Sequence, residues 1–227
     1  MLTWLLTNRW LLRAIWLPWI MLPLPVRKRA TTAGIWALRS LKRPVGDLRP
    51  RERQAPTPPK KLFTLSFWGV PRISPERYAL MIDGMVDSPL NLSLDALRNY
   101  PVVDRQVTLD CVGGLQNVIT ARGVPLATLL ERAEAAPEAD TAIFHCADGY
   151  FTTHPLTDLI ETEAYLAYEI NGQEIPAHGF PLRLVAPGKY GYKWAKWVVR
   201  IELAAGSPMG YWEQRGLPDR AWVGDLR

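Results

Sequence analysis

From residue 62 onward, hydrophobic positions recur at every second residue in short runs separated by turn residues, the period of a half-buried β-strand. Tyr78, Leu80 and Ile82 alternate before Asp83-Gly84, a turn signal. Val107, Leu109 and Cys111 share one face of a second strand. Leu182, Leu184 and Ala186 mark a third, and Trp197, Val199, Ile201 and Leu203 a fourth. Helical spacing is rarer. Ser93 is placed to cap a short helix over Leu94–Arg98. Pro125 suits the first turn of another, with Leu126, Leu129, Leu130 and Ala133 as its apolar stripe. A third helix is expected over residues 156–163. Several strands with short intervening helices predict an α+β domain with mixed β-sheets, not a doubly wound one.

The head of the chain reads differently. Residues 1–26 hold Trp4, Trp10, Trp16 and Trp19 among many Leu and Ile residues. The uncharged run at residues 14–26 is about half the length of a spanning helix and contains Pro18, Pro23 and Pro25, which argues against a simple transmembrane helix. No twin-arginine motif precedes an apolar run, and no small-x-small cleavage pattern follows one. Residues 40–61 read as a linker, with Pro44, Pro50, Pro56, Pro58 and Pro59 alternating with charges. The division expected is a basic Trp-rich segment over 1–39, a linker over 40–61 and a single domain over 62–227.

Charge sharpens that division. The net charge of +5 conceals a head at residues 1–61 with 13 Lys and Arg against Asp47 and Glu52, and a body with 14 basic and 20 acidic residues. The acidic body excludes broad nucleic-acid binding. The basic, Trp-rich head suits contact with an anionic membrane surface, while an export signal and an unstructured leader stay open. Two cysteines without CxxC spacing make neither a disulfide framework nor a zinc site.

Three segments could carry chemistry. In Leu109-Asp110-Cys111-Val112-Gly113-Gly114 a cysteine ends a strand and enters a glycine pair, where the backbone can approach a ligand closely. A thiolate is a soft, strongly donating ligand, although a buried structural cysteine is the commoner outcome for such a residue. Between His178 and Trp197, four basic residues (Arg183, Lys189, Lys193 and Lys196) interleave with glycines and aromatics. That composition suits a phosphate or other anion, or else an exposed basic hairpin. In the third segment Tyr150 follows the turn residues Asp148-Gly149, placed either to offer its hydroxyl to a cavity or to pack at a strand end.

Taken in order, VTLDCVGG, RGVPLATLLERA, DGYFTTHPL and AYEINGQEIPAHGFPLRLVAPGKYGYKWAKW resemble the molybdopterin-binding domain of the sulfite oxidase superfamily over about residues 62–215. The resemblance implies the sulfite oxidase-type molybdopterin-binding fold, a molybdenum-molybdopterin cofactor and oxygen-atom transfer. It also implies that Cys111 is the thiolate ligand of the metal and that His178 and Arg183 contact the pterin. By the same match, Trp194, Ala195 and Lys196 wrap its phosphate end, Cys146 lies beside the cofactor, and Tyr150 stands near the substrate oxygen. The sequence departs from sulfite oxidases after Cys111, where Val-Gly-Gly-Leu-Gln-Asn replaces their basic residues. It also stops soon after the cofactor segment, so a C-terminal immunoglobulin-like domain and a haem domain are not expected. Both departures lean toward the single-domain bacterial reductase of protein methionine sulfoxide.

The resulting expectation is an enzyme, a monomer, that reduces a small or protein-bound S-oxide or N-oxide. Its partner would be a membrane haem or other redox protein. Its location would be the membrane surface or the periplasm, with the cytoplasm left open. Sulfite oxidation and a non-catalytic electron-relay subunit are the alternatives.

Overall fold

The computed structural model describes residues 17–41, 55–58, 62, 64, 66, 69–206 and 208–225, and in it the alternating runs form two sheets. Trp4, Trp10, Trp16 and most of the Pro-rich stretch lie outside the described residues. The strands are β1 (Ala79–Gly84), β2 (Leu90–Ser93), β3 (Val103–Asp110), β4 (Gln116–Pro125) and β5 (Thr141–Cys146). They continue with β6 (Phe151–Pro155), β7 (Tyr165–Ile170), β8 (Gln173–Glu174), β9 (Arg183–Val185) and β10 (Val198–Ala204). One sheet has the order β2-β1-β10-β5-β6, with β1 parallel to β10 and the other pairs antiparallel. The other runs β3-β4-β7-β8, and β9 also pairs with β7. Buried side chains from both sheets join in one core.

Each predicted strand is present, with two instructive shifts. In β10 a bulge between Val198 and Arg200 changes the phase of the alternation. Val198 is therefore fully buried with Ile201 and Leu203, and Val199, the residue the spacing favours, is only half-buried. In β9 every residue is buried, because its two faces are both covered and alternation no longer marks a solvent side. Gly123 permits a close crossing: a Cβ there would lie 1.9 Å from the Leu166 carbonyl oxygen, where β4 shifts register against β7.

The body's helices form where local chemistry asks for them. The Ser93 hydroxyl accepts the Ala96 amide at 3.1 Å and starts α2 (Leu94–Arg98), which buries Leu94 and Leu97. Pro125 stands at the N-cap of α3 (Leu126–Arg132), whose Leu126, Leu129 and Leu130 enter the core with Ala133. The third, α4 (Leu156–Glu161), ends earlier than expected, and Glu163 adopts a left-handed backbone with φ 49°.

The head holds α1 (Leu24–Leu41), so the helix runs into the stretch read as linker. Residues 17–21 are also helical. No described helix is long and apolar enough to cross a membrane. Arg27, Thr31 and Ile35, one helical face, turn toward the body. Arg27 donates to the Gln214 carbonyl, and Trp19 Nε1 and Thr31 Oγ1 both donate to the Arg215 carbonyl, at 3.2 and 2.9 Å. Gly216 allows this approach, since a Cβ there would sit 2.7 Å from the Arg27 carbonyl. Thr57 of the Pro-rich stretch is bound to β4, on the part of that strand before its pairing with β7 begins. Its amide donates to Val118, its hydroxyl accepts from Val118, and its carbonyl accepts from Asn171.

Candidate functional site

A cavity of about 220 Å³ opens where β3 ends, and Cys111 lies on its wall. Leu109 and Val112 flank the thiol. Asp148 and Tyr150 enter from the β5–β6 turn, and Arg183 from β9. Gly191, Tyr192, Trp194 and Lys196 come from the glycine-aromatic loop, and Trp212 and Leu217 from the C-terminal segment. The loop reaches Cys111 because Tyr190 forms a parallel bridge with Asp110. It comes close because Gly191 has no side chain, and a Cβ there would meet Leu109 Cδ2 at 3.0 Å.

Cys111 sits in a tight turn in which Gly114, at φ 84°, donates to the Cys111 carbonyl at 2.8 Å. The Gly113 amide points at Cys111 Sγ, 3.5 Å away. An amide donor favours the thiolate over the thiol, which suits a metal ligand. Cys146 is different. It is buried in β5, does not line the cavity, and burial, then the charge of Asp148, pushes its thiol pKa up. Cys111 and Cys146 are not joined by a disulfide.

The basic residues of the loop divide into two pairs. Lys189 and Lys193 are fully buried and point away from the cavity, contrary to a loop with all its cations facing an anion. Lys189 binds Asp158, which also holds Arg220, and stacks on Trp222. Lys193 binds Glu213 and the Thr153 carbonyl. Arg183 and Lys196 line the cavity and bridge to each other through their backbones. Burial lowers the Arg183 pKa to about 10. Burial, then the neighbouring Arg183, lowers Lys196 to about 8. Arg183 Nε is buried without a hydrogen-bond partner. A desolvated guanidinium nitrogen with no acceptor is costly, and an anionic ligand supplies the missing one.

The other expected site residues occupy distinct places. His178 lies on an adjoining cavity of about 140 Å³ that shares Thr64, Leu109 and Arg183 with the first, and burial, then Lys196, lowers its pKa. Trp194 lines the main cavity and donates from Nε1 to the Lys189 carbonyl at 3.0 Å. Ala195 is off the cavity, and its carbonyl accepts the Leu184 amide. Tyr150 is on the wall, but its hydroxyl donates to the Tyr192 carbonyl, and burial, then Glu213, raises its pKa well above the ordinary value. Arg105 and Arg122 stand elsewhere: the first pairs with Glu163 at the surface, the second with Tyr168. Neither lines a cavity that reaches Cys111.

Sequence reasoning missed Trp212 and Leu217. They lie in a segment without periodicity, brought to the site by the 3-10 turn at Glu213–Arg215 and the buried Glu213. The aromatic content of that segment was its only signal.

Comparison with known proteins agrees with this geometry. The family described as "Oxidoreductase molybdopterin binding domain" matches residues 67–212. An uncharacterized oxidoreductase, YuiH of Bacillus subtilis, is 33% identical over 75% of this chain and 90% of its own length. A chain from Azospira oryzae, described as a putative protein-methionine-sulfoxide reductase subunit, YedZ1, is 31% identical over 71% of this chain and 65% of its own. Human mitochondrial sulfite oxidase is 31% identical over 70% of this chain, which spans only 35% of that protein. Among solved structures, the sulfane dehydrogenase SoxCD of Paracoccus pantotrophus aligns with a TM-score of 0.59 and 26% identity, over 62% of this chain and 41% of the other. The residues of the cavity fit the cofactor that such proteins share: a cysteine sulfur with an amide donor at one end, and on the wall a buried guanidinium whose Nε lacks an acceptor.

Proposed function

Because this chain belongs to the oxidoreductase molybdopterin-binding domain family and is a molybdopterin-dependent oxidoreductase, we propose that it reduces a neutral S-oxide or N-oxide by oxygen-atom transfer. Cys111 would hold the molybdenum, while Arg183, Lys196 and His178 hold the pterin and its phosphate. When bound, the molybdenum supplies the two-electron chemistry of oxygen transfer. For a sulfoxide the balance is one sulfoxide, two protons and two electrons consumed, and one thioether and one water formed. The S–O bond breaks, sulfur is reduced, and the electrons come from an external redox partner.

The observation that carries this reading is the charge around Cys111. The charged residues lining the cavity are Asp148, Arg183 and Lys196, of which the two cations are assigned to the pterin, while Val112, Tyr150, Tyr192, Trp212 and Leu217 carry no charge at neutral pH. Sulfite, an anion, needs fixed positive charge in a pocket of low dielectric. Arg105 and Arg122, the nearest candidates in sequence, are engaged at other surfaces. A neutral S-oxide or N-oxide needs no such charge. Tyr150, whose hydroxyl donates to the Tyr192 carbonyl, would orient the substrate oxygen by turning that one O–H from the carbonyl to it. Sulfite oxidation is the competing reading, and the relatives named sulfite oxidase favour it. An electron relay without catalysis is the third.

The test is turnover of the molybdenum-loaded protein with reduced viologen and a panel of S- and N-oxides, alongside sulfite with ferricyanide. Oxide reduction exceeding sulfite oxidation, and lost in Cys111→Ser with a changed electron paramagnetic resonance signal, is expected. Faster sulfite oxidation overturns the substrate reading. Absence of turnover in both assays overturns the catalytic one.

We also propose that the head meets an anionic membrane surface. Leu17, Met21, Val26 and Trp36 on the helical segments and Leu22 in the bend between them are exposed, as is the basic Arg29. Trp and Leu at headgroup depth with basic residues around them suit an interfacial segment. A membrane haem protein or another redox partner could then deliver electrons at that surface.

A further inference from the structure

We infer that a second, apolar cavity is the substrate's specificity pocket, and that it takes a hydrophobic, aryl-sized substituent of a small organic S-oxide. This rests on the proposed S-oxide reduction and names its substrate class. The cavity, about 370 Å³, lies between the head and the body. Trp19 and Ile35 line it from the head, and Val112, Trp212 and Leu217 from the body. Those last three also line the cavity of Cys111, so the two spaces share a wall beside the residue that follows the metal ligand.

The wall is largely hydrocarbon, and the polar residues on it, Thr31, Arg215 and the Trp19 indole, make hydrogen bonds to the protein. Thr31 Oγ1 and Trp19 Nε1 both donate to the Arg215 carbonyl. The Arg215 guanidinium lies over the Tyr211 ring, 3.4 Å from its centroid, and donates to the Tyr211 carbonyl at 2.6 Å. No carboxylate is among the described lining residues. Apolar walls with few polar groups are the usual lining of small-ligand sites, and this volume falls in their range of about 300–1,000 Å³. A substituent that leaves water for this space gains about 25 cal/mol per Å² of apolar surface buried. A dimethyl oxide would fill only the space beside Cys111 and gain none of it. A sulfoxide bearing an aryl group would reach past Val112 and gain most.

The experiment uses the molybdenum-loaded full chain and two readouts. The first is calorimetric binding of methyl phenyl sulfone, which the oxide-reducing reaction would not consume, against dimethyl sulfone. The second is kcat/KM for methyl phenyl sulfoxide relative to dimethyl sulfoxide. The expectation is at least tenfold tighter binding of the aryl sulfone and at least a tenfold higher kcat/KM for the aryl sulfoxide. Ile35→Trp, which fills the cavity, is expected to lower both ratios at least tenfold while molybdenum content holds. Trp19→Ala, which opens the same wall without adding bulk, is expected to weaken aryl sulfone binding at least threefold and carries the test should Ile35→Trp not fold. Equal binding of the two sulfones, or ratios unmoved by both variants, overturns the inference. Aryl sulfone binding that the variants weaken, in a protein that reduces no oxide, upholds the pocket and overturns the reaction proposed for it.

Discussion

Lys196 shows how burial makes a side chain into a site before any ligand arrives. Its pKa falls from 10.5 to about 8 because burial, then Arg183, penalises the cation. Below pH 8 the lysine is charged in both folded and unfolded protein, and the penalty on the cofactor-free fold is fully present. Between pH 8 and 10.5 the folded state releases the proton that the unfolded state keeps, so the stability of the cofactor-free protein rises with pH. An anion reverses the preference, since it binds the charged form. Cofactor retention is therefore greatest below pH 8 and falls as the pH climbs through it. After dialysis at about pH 9.5, wild type is expected to retain severalfold less molybdenum than at about pH 7. Lys196→Ala, lacking a charge-assisted bond of about 1.5–3 kcal/mol, would retain about tenfold less at neutral pH and lose much of the pH response. Metal analysis of the dialysed proteins checks both. An identical pH response in Lys196→Ala would assign the loss to another group.

At the scale of elements, buried ion pairs hold the site's walls in register. Lys193 belongs to the 3-10 turn at Gly191–Lys193 and Glu213 to the one at Glu213–Arg215, so their pair joins the cofactor loop to the segment that supplies Trp212 and Leu217. Both side chains are essentially inaccessible to solvent. Removing one partner leaves the other as an uncompensated buried charge, at about 3–5 kcal/mol, whereas removing both avoids that penalty. Lys193→Met and Glu213→Leu are each expected to lower unfolding stability by that amount, and the double variant by clearly less than either. Denaturant midpoints of the four proteins give the cycle. Additive losses would show that the pair acts separately in each turn. Asp158 joins α4 to the C-terminal segment in the same manner, through Lys189 and Arg220.

At the scale of the whole molecule, the head has two faces with different work. Arg27, Thr31 and Ile35 close against the body, while Leu17, Met21 and Trp36 stay in solvent, each more than two-thirds exposed. Basic residues near an anionic surface contribute about 1 kcal/mol each within a Debye length, and burial of the exposed apolar groups adds a part that salt does not screen. The full chain is expected to co-sediment with vesicles containing phosphatidylserine, less at high salt yet still measurably. Met21→Asp with Trp36→Glu is expected to remove the salt-resistant part while leaving molybdenum content intact. Equal sedimentation of wild type and the double variant, at both salt levels, would show that this face does not meet lipid.

The alternation of apolar residues determined four of the ten described strands, β1, β3, β9 and β10, because successive side chains of a strand point to opposite faces. Ser93 and the stripe at Leu126, Leu129 and Leu130 did the same for two helices, through capping and burial that depend on neighbours in the chain. The placement of Cys111 before paired glycines was also legible, since a tight turn at a strand end is a local property. Tertiary structure alone decided which cations face the cavity. Lys189, Lys193 and Lys196 look alike in sequence, yet Asp158 and Glu213, 31 and 20 residues away, claim the first two. The bulge in β10 and the arrival of Trp212, Leu217, Trp19 and Ile35 were likewise beyond local pattern. Each depends on a partner distant in the chain, and periodicity and capping report only the few residues on either side.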